Sequence, residues 1–352
     1  MKNKKNGISI LILVLLIVIT FLWFFHEYDF RETVQVLKRV SLPFLALAVI
    51  SNLMFVMCEA YNLYTILKSI QADVKFRKCV KYVFVECYFC AITPSASGGQ
   101  PAQLLYMRDD GIPVGKSTIA LLIIAITYKG SLLLYAAVTY LMAKSHFLGT
   151  MGKLKYLFYL GILMNLGAVA FMLLALFSGK WIRRAALSVI SILKKLLARR
   201  DARIMQKVEL LYEKAERTMD NYQEGSKYIA KHKGVFVRVL LITIVQRTFR
   251  FLVTYLVYGS FGLSESGILP IIMLQSVVSV SADMIPIPGA VGVSETCYMK
   301  LFRNIFPREY LLPSLVLSRG ISFYGMVLLS SFMIIVSQLR KIKRERQAEN
   351  RW

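Results

Sequence analysis

Four basic residues lie well within long apolar stretches of this sequence, where a charge is costly and usually functional: Lys129, Arg247, Arg250 and Arg319. Arg247 and Arg250 are three residues apart, so a helix would place them on one face. A guanidinium binds phosphate through a planar pair of hydrogen bonds, and an ammonium binds it as a point charge. Together these residues predict a site for an anionic, phosphate-bearing group at membrane depth.

Three acidic residues accompany the cations. Glu59 lies centrally in an apolar stretch, and Glu86 and Asp283 shortly precede two motifs rich in glycine and proline. We expect these acids to pair with the cations when the site is empty, or to bind an amine of the substrate. The alternative is purely structural ion pairing, for example between Glu59 and Arg247. Because buried ion pairs are weak net stabilisers, seven such charges favour a functional site.

The two motifs interrupt the apolar sequence 192 residues apart, as TPSASGGQPAQLLYMR at Thr93–Arg108 and IPIPGAVGVSETCYMK at Ile285–Lys300. Paired interruptions of this kind are typical of transport sites between membrane repeats. In the first motif we expect a headgroup to bind, through hydroxyls, amides and free backbone N–H groups, at Ser95, Ser97, Gly98, Gly99, Gln100 and Gln103. In the second we expect gating or counter-charge from Pro286, Pro288, Gly289, Gly292 and Glu295.

The composition identifies an integral membrane protein, because 57% of the residues are apolar and only 18% are charged, against about 25% in soluble domains. A membrane-spanning helix needs about 20 apolar residues. Six stretches qualify: Ile8–Phe25, Leu42–Leu67, Val114–Ala143, Tyr156–Ser178, Val235–Leu263 and Leu311–Leu339. Two shorter stretches, Val74–Tyr106 and Ile268–Glu295, contain the motifs. We expect Ile8–Phe25 to be a retained anchor, since no small-residue cleavage site follows it.

The net charge of +24 is distributed unevenly along the chain. If both termini are cytoplasmic and the two motif segments are re-entrant hairpins, most Lys and Arg residues fall in cytoplasmic segments, as the positive-inside rule requires. Basic surfaces of this kind attract anionic lipids, so we expect no nucleic-acid partner. The predicted fold is an all-α polytopic membrane protein, with six spanning helices and two re-entrant Gly/Pro-broken hairpins in inverted repeats. Eight full spans are the alternative.

This topology divides the chain into six segments. They are an N-terminal anchor helix and loop (1–41), membrane repeat one with its re-entrant motif (42–143), a fourth span (144–179), a basic cytoplasmic helical loop (180–234), membrane repeat two with its re-entrant motif (235–339) and a basic cytoplasmic tail (340–352). The loop 180–234 is interpreted as a linker that sets topology, with partner docking as the alternative.

At its motifs the chain resembles the flippase-like, lysylphosphatidylglycerol synthase transmembrane-region family. Members share a Pro-Ser-x-Ser-Gly-Gly-Gln-Pro-like motif, here Pro94–Pro101, followed by a Gly-Ile segment, here Gly111-Ile112. They also share Pro-x-Pro-Gly-x-x-Gly-x-x-Glu, here Pro286–Glu295, from which this chain departs at Ala290, where glycine is common. The resemblance covers nearly the whole chain.

In larger members of that family, a related membrane part flips aminoacylated phosphatidylglycerol, and a fused soluble domain makes this lipid from aminoacyl-tRNA. The resemblance therefore implies a translocase in the cell membrane for plain or aminoacylated phosphatidylglycerol, or for a lipid-linked headgroup. Since no stretch outside the apolar blocks is long enough for that catalytic domain, we do not expect enzyme activity. A phosphatidylglycerol lysyltransferase, or a subunit of one, is the alternative function.

Neither a metal nor another cofactor is expected, because the three histidines are scattered and form no ligand pattern. The expected partners are membrane lipids with anionic headgroups. A lipid-modifying synthase and a second copy of the chain are further candidate partners. A third functional alternative is a scaffold that transports nothing and recruits a partner through its basic loop.

Overall fold

The computed structural model describes residues 30–143, 151–177, 231–283 and 285–349, together with isolated positions between 184 and 228. In these ranges the chain is helical and contains no strand, as the predicted all-α fold requires. The helices are α1 Phe30–Lys38, α2 Leu42–Ser69, α3 Phe76–Ile92, α4 Gly99–Asp109, α5 Val114–Ala143, α6 Leu154–Phe177, α7 Lys233–Ser260, α8 Ile268–Ala282, α9 Val293–Phe302, α10 Arg308–Arg319 and α11 Gly325–Glu349. The predicted anchor Ile8–Phe25 and most of the loop 180–234 lie outside the described residues.

Four helical stretches of the described chain are long and apolar enough to cross a membrane: α2, α5, α6 and the stretch Arg308–Gln338. Even the 24 residues of α6 extend about 36 Å, which exceeds the apolar thickness of a bilayer of about 30 Å. Leu163 and Phe171 of α6 are 67% and 73% exposed, as expected of side chains that contact lipid. Helix α7 packs along α2 and has the same length of 28 residues, but it contains three arginines.

The last span is not one regular helix, although its sequence predicts a single apolar stretch. Helix α10 ends at Arg319, a π-helical turn follows at Gly320–Tyr324, and α11 begins at Gly325. The carbonyl oxygen of Ile321 in this turn accepts a hydrogen bond of 2.9 Å from the amide nitrogen of Asn52. π-Helical turns occur frequently at functional sites, and this one lies beside the central cavity of the protein.

Both motif segments fold back on themselves. Helix α3 has 17 residues and α8 has 15, so they extend only about 26 Å and 23 Å, less than a bilayer requires. Short 3₁₀ turns at Pro94–Ala96 and Pro288–Ala290 reverse the chain, and the return helices α4 and α9 pack against α3 and α8. Both segments are therefore helical hairpins, and their re-entrant position in the membrane stays a prediction. The second return arm extends to Phe302, beyond the predicted limit at Glu295.

The open end of the first hairpin is closed by a polar clamp. The Asp110 carboxylate accepts hydrogen bonds of 2.6 Å from the Lys81 ammonium and from the Tyr82 hydroxyl. Burial alone would raise the pKa of Asp110, but these two bonds and the nearby lysine charges hold it below its usual value. The carboxylate therefore ties the start of α3 to the end of α4 at neutral pH.

The segments predicted to form the two repeats pack against each other. Helices α2 and α7, which open the repeats, lie against each other. The hairpin of repeat one packs against α11 of repeat two, and the hairpin of repeat two packs against α5 of repeat one. Such an exchange of partners is expected for repeats related by a pseudo-two-fold axis in the membrane.

Helix α6 supports the second hairpin at close range. A β-carbon at Gly161 of α6 would overlap the backbone carbonyl group of Val280 in α8, so only glycine permits this approach. One helical turn further along α6, the amide of Asn165 is fully buried and donates to the carbonyl oxygen of Gly161. The contact fixes the position of α8 and of the turn that follows it.

Candidate functional site

The tips of the two hairpins meet near the centre of the protein, and a cavity of about 640 Å³ lies beside them. The cavity wall includes the middle of α2, α5 and α7, both hairpin tips and the π-helical turn. This volume is within the range of about 300–1,000 Å³ that is typical of small-molecule sites. It can hold a polar headgroup, whereas the acyl chains of a lipid would have to remain outside.

All four basic residues singled out in the sequence line this cavity: Lys129, Arg247, Arg250 and Arg319. Of the acids, Glu59, Glu86 and Asp283 also line it. The residues come from five different helices and from the tip of the second hairpin, so only the tertiary fold brings them together. Their role in binding a substrate stays a prediction.

The side chain of Arg247 is held against α5. Its Nη2 and Nε atoms donate to the carbonyl oxygen of Tyr128 at 3.0 and 3.3 Å, and Nε also donates to the Ser131 hydroxyl at 3.1 Å. The guanidinium carbon lies 3.7 Å from the centre of the Tyr128 ring, a cation–π distance. These neutral partners orient the group and leave its charge uncompensated by any direct ion pair within the described chain.

Arg250 lies one turn from Arg247 and is held in a similar way. Its Nη1 atom donates to the amide oxygen of Asn52 at 2.9 Å, and its guanidinium carbon lies 5.0 Å from the centre of the Phe55 ring. The same Asn52 donates to the carbonyl oxygen of Ile321. Asn52 therefore joins Arg250 to the π-helical turn. No carboxylate of the described residues forms an ion pair with this guanidinium either.

Lys129 forms an ion pair across the two repeats. Its Nζ atom lies 2.6 Å from Oδ2 of Asp283 and 3.1 Å from the amide oxygen of Asn165. Lys129 belongs to α5 of repeat one, and Asp283 follows α8 at the tip of the second hairpin. The pair therefore fixes one hairpin tip to a spanning helix of the other repeat.

Arg319 forms an ion pair with the second hairpin. Its Nε atom donates to Oε1 of Glu295 at 2.7 Å, and its Nη2 atom donates to the carbonyl oxygen of Gly289 at 3.1 Å. The other oxygen of Glu295 caps the start of α9 by accepting from the backbone N–H of Gly292 and from the Ser294 hydroxyl. Glu295 is buried behind the cavity wall, so it compensates Arg319 and does not face the cavity.

Glu59 and Glu86 lie close together in the cavity wall, although both are acids. Glu59 accepts a hydrogen bond of 3.2 Å from Gln246 and is not in a direct ion pair with Arg247, which was the structural alternative. The side chain of Gln103 is fully buried beside Glu86 and does not line the cavity. The predicted headgroup ligand Gln103 therefore contacts an acid of the site in this conformation.

The predicted residues of the two motifs divide into two groups. Those that line the cavity are Ser95, Ser97, Gln100 and Gly289. The remaining seven lie outside the lining: Gln103 and Glu295, described above, and Gly98, Gly99, Pro286, Pro288 and Gly292, which shape the hairpins. At Gly99, for example, a β-carbon would overlap the sulfur of Cys90 and crowd Glu86 on α3. The close packing of the two hairpin arms therefore depends on glycine at this position.

Ala290 has a positive φ of 50° at the tip of the second hairpin, and it lines the cavity. A residue with a β-carbon pays roughly 1 kcal/mol for this left-handed conformation, whereas glycine adopts it freely. Glycine at this position would form the same turn without that cost. The alanine of this chain keeps the turn at the cost of local strain.

Sequence reasoning missed several polar residues around the cavity. Asn52 and Asn165 hold two of the four cations, and Gln275 lines the cavity with a buried side-chain oxygen that has no hydrogen-bond partner in the described chain. All three are uncharged amides inside apolar helices. Since amides at membrane depth are also costly without partners, their position in the sequence was a usable signal.

Comparisons with known proteins agree with the resemblance seen in the motifs. A family model described as the lysylphosphatidylglycerol synthase TM region matches residues 9–330. Among curated proteins, UPF0104 membrane protein PH1989 from Pyrococcus horikoshii is 24% identical over 336 residues, which cover 94% of this chain and 97% of that protein. The family match includes both hairpins and all of the charged residues of the cavity.

Proposed function

Because the chain belongs to the lysylphosphatidylglycerol synthase TM-region family, we propose that it translocates phospholipids with an anionic headgroup across the cell membrane. The proposed substrates are plain or aminoacylated phosphatidylglycerol, or a related lipid-linked headgroup. One observation carries the proposal. The guanidinium groups of Arg247 and Arg250 face a central cavity, and neither forms an ion pair in the described chain.

The chemistry of the cavity suits a phosphodiester. Two guanidinium groups one helical turn apart offer several N–H donors with fixed geometry, and each is already oriented by neutral partners. A phosphate would supply the direct ion pair that these two groups lack in the described chain. Ser95 and Ser97 at the first hairpin tip can donate to the glycerol hydroxyls, and the Asp283 carboxylate can bind the amine of an aminoacyl group.

The hairpins supply a route for movement across the membrane. We propose that one hairpin enters from the cytoplasmic face and the other from the outside, with both termini in the cytoplasm. A rocking of one repeat against the other would then open the cavity to each leaflet in turn. Cysteine labelling tests this orientation. In a cysteine-free background, a membrane-impermeant reagent should label Asn304→Cys from outside and Asp73→Cys only after permeabilisation.

The function is tested with the purified chain in vesicles that contain fluorescent phosphatidylglycerol. Wild-type protein should expose the labelled lipid to an external quencher faster than protein-free vesicles do. Arg250→Gln should slow this movement about tenfold or more, because a charge-assisted hydrogen bond contributes about 1.5–3 kcal/mol. Arg250→Lys should recover only part of the rate, since an ammonium lacks the planar fork of donors.

A matched control is Arg308→Gln, which removes an exposed arginine at the start of α10, away from the cavity. It should move lipid at the wild-type rate. A zwitterionic phosphatidylcholine probe should move more slowly than phosphatidylglycerol. The proposal is wrong if wild-type protein moves no lipid above the protein-free background, or if Arg247→Ala and Arg250→Gln both match wild type.

A further inference from the structure

Two acids of the cavity have no basic partner. Glu59 on α2 and Glu86 on α3 both line the cavity, and neither forms an ion pair in the described chain. Glu59 is 7% exposed, and the buried Oε2 atom of Glu86 has no hydrogen-bond partner among the described residues. Ionised carboxylates only accept hydrogen bonds, so these two acids can bond to each other only when one of them is protonated.

A third polar side chain lies beside this pair of acids. Gln103 of α4 is fully buried beside Glu86, and within the described chain neither atom of its amide completes a hydrogen bond. An amide can donate to an ionised carboxylate or accept from a protonated one. The amide can therefore form a hydrogen bond with either protonation state of Glu86, which an apolar residue of the same shape could not do.

The groups that face this pair come from every helix around it. Arg247 and Arg250 of α7 act on Glu59, and the thiols of Cys87 and Cys90 on α3 are also close. Tyr128 of α5 lies on the same side of the cavity. Lys129 and Arg319 line the same cavity, but each is compensated by its own carboxylate. The charge of the acid pair therefore acts mainly on the two arginines.

Protonation of the acid pair changes the net charge around the two arginines and therefore affects the binding of an anion. The two arginines contribute two positive charges, and the acid pair contributes one negative charge when it holds one proton. A second proton removes that negative charge and leaves both guanidinium groups free for a phosphate. A proton on the pair and an anionic headgroup on the arginines therefore favour each other, and this preference is reciprocal.

We propose that Glu59 and Glu86 form a proton-binding site that couples proton movement to the headgroup, so that both cross in the same direction. The inference rests on the proposed function. The two carboxyl groups belong to different elements, α2 and the first hairpin. Loss of both protons would place two negative charges side by side and separate the hairpin from α2. Protonation thereby also biases the position of the hairpin.

A proton gradient across reconstituted vesicles tests the coupling. With the membrane potential clamped at zero, labelled phosphatidylglycerol should accumulate in the leaflet that faces the alkaline side. For one proton per lipid the ratio can reach about tenfold per pH unit, whichever way the protein inserts. Protein-free vesicles under the same gradient provide the background. Wild-type transport without any accumulation would overturn the coupling and leave the proposed function intact, whereas no transport at all would overturn both.

Substitutions of Glu59 and Glu86 test whether these two residues carry the coupling. Glu86→Gln and Glu59→Gln should lose the accumulation, and the steady-state ratio reports this even if exchange becomes slower. Glu86→Asp retains a carboxyl group and should retain the accumulation. Glu309→Gln, an exposed acid on α10, should behave as wild type. If Glu86→Gln and Glu59→Gln both accumulate lipid as strongly as wild type, the pair is not the coupling site.

Discussion

The ion pair between Lys129 and Asp283 offers a direct test of how the repeats are held together. The two charged atoms are 2.6 Å apart, and the side chains are only 17% and 21% exposed. Lys129→Met removes the charge from α5 and keeps a straight side chain of similar length. Asp283 would then carry a negative charge at the hairpin tip without its lysine.

The expected cost follows from this burial. Breaking a buried pair costs about 3–5 kcal/mol, mostly because one charge remains uncompensated. Since about a fifth of each side chain faces the cavity, we expect about 2–4 kcal/mol for Lys129→Met and a similar loss for Asp283→Asn. The double variant removes both charges, so its loss should be smaller than that of either single variant. The resulting coupling energy should exceed about 1.5 kcal/mol.

Thermal unfolding in detergent provides the measurement. The chain contains two buried free cysteines, Cys79 and Cys297, which would react with a thiol-specific fluorophore only as the protein unfolds. Both single variants should unfold several degrees below wild type, and the double variant should recover part of that loss. Lys153→Met removes an exposed lysine near the start of α6 and serves as the control. Additive losses in the double variant would refute the reasoning, because they would show that the two charges do not stabilise each other.

Three further predictions concern the hairpins and their supports. Ala290→Gly should raise the stability by about 0.5–1 kcal/mol in the same unfolding assay, since glycine removes the strain of the positive φ; a loss of stability would show that the turn is not strained. Asp110→Asn should cost about 1–2 kcal/mol at pH 7 through its lysine and tyrosine partners. Because the folded-state pKa of Asp110 is lowered, this contribution is present above the unfolded value and disappears as the pH falls below about 4, so variant and wild type should converge in acid. Gly161→Val should destabilise strongly by pushing α6 away from Val280, whereas Gly167→Val, on an open face of the same helix, should have little effect; equal losses would exclude the close contact as the cause.

Much of the membrane architecture follows from local sequence properties. Four of the six predicted spans correspond to helical stretches that can cross a membrane, because a bilayer requires about 20 apolar residues in each crossing helix, whatever the neighbours are. The Gly- and Pro-containing motifs gave both hairpins because these residues end helices locally. The π-helical turn at Gly320–Tyr324 was missed, since its hydrogen bond to Asn52 comes from a helix that is more than 260 residues away in sequence.

In the candidate site too, some features can be predicted from the sequence and others depend on how the helices pack. Lys129, Arg247, Arg250 and Arg319 could be selected from the sequence alone, because each charge interrupts an apolar stretch and is costly there. Their partners could not be selected. Lys129 pairs with an acid of the other repeat, Arg319 pairs within its own repeat, and the two remaining arginines have only neutral partners among the described residues. Pairing depends on distances between helices that are set by packing, and side chains far apart in the chain meet only once that packing exists.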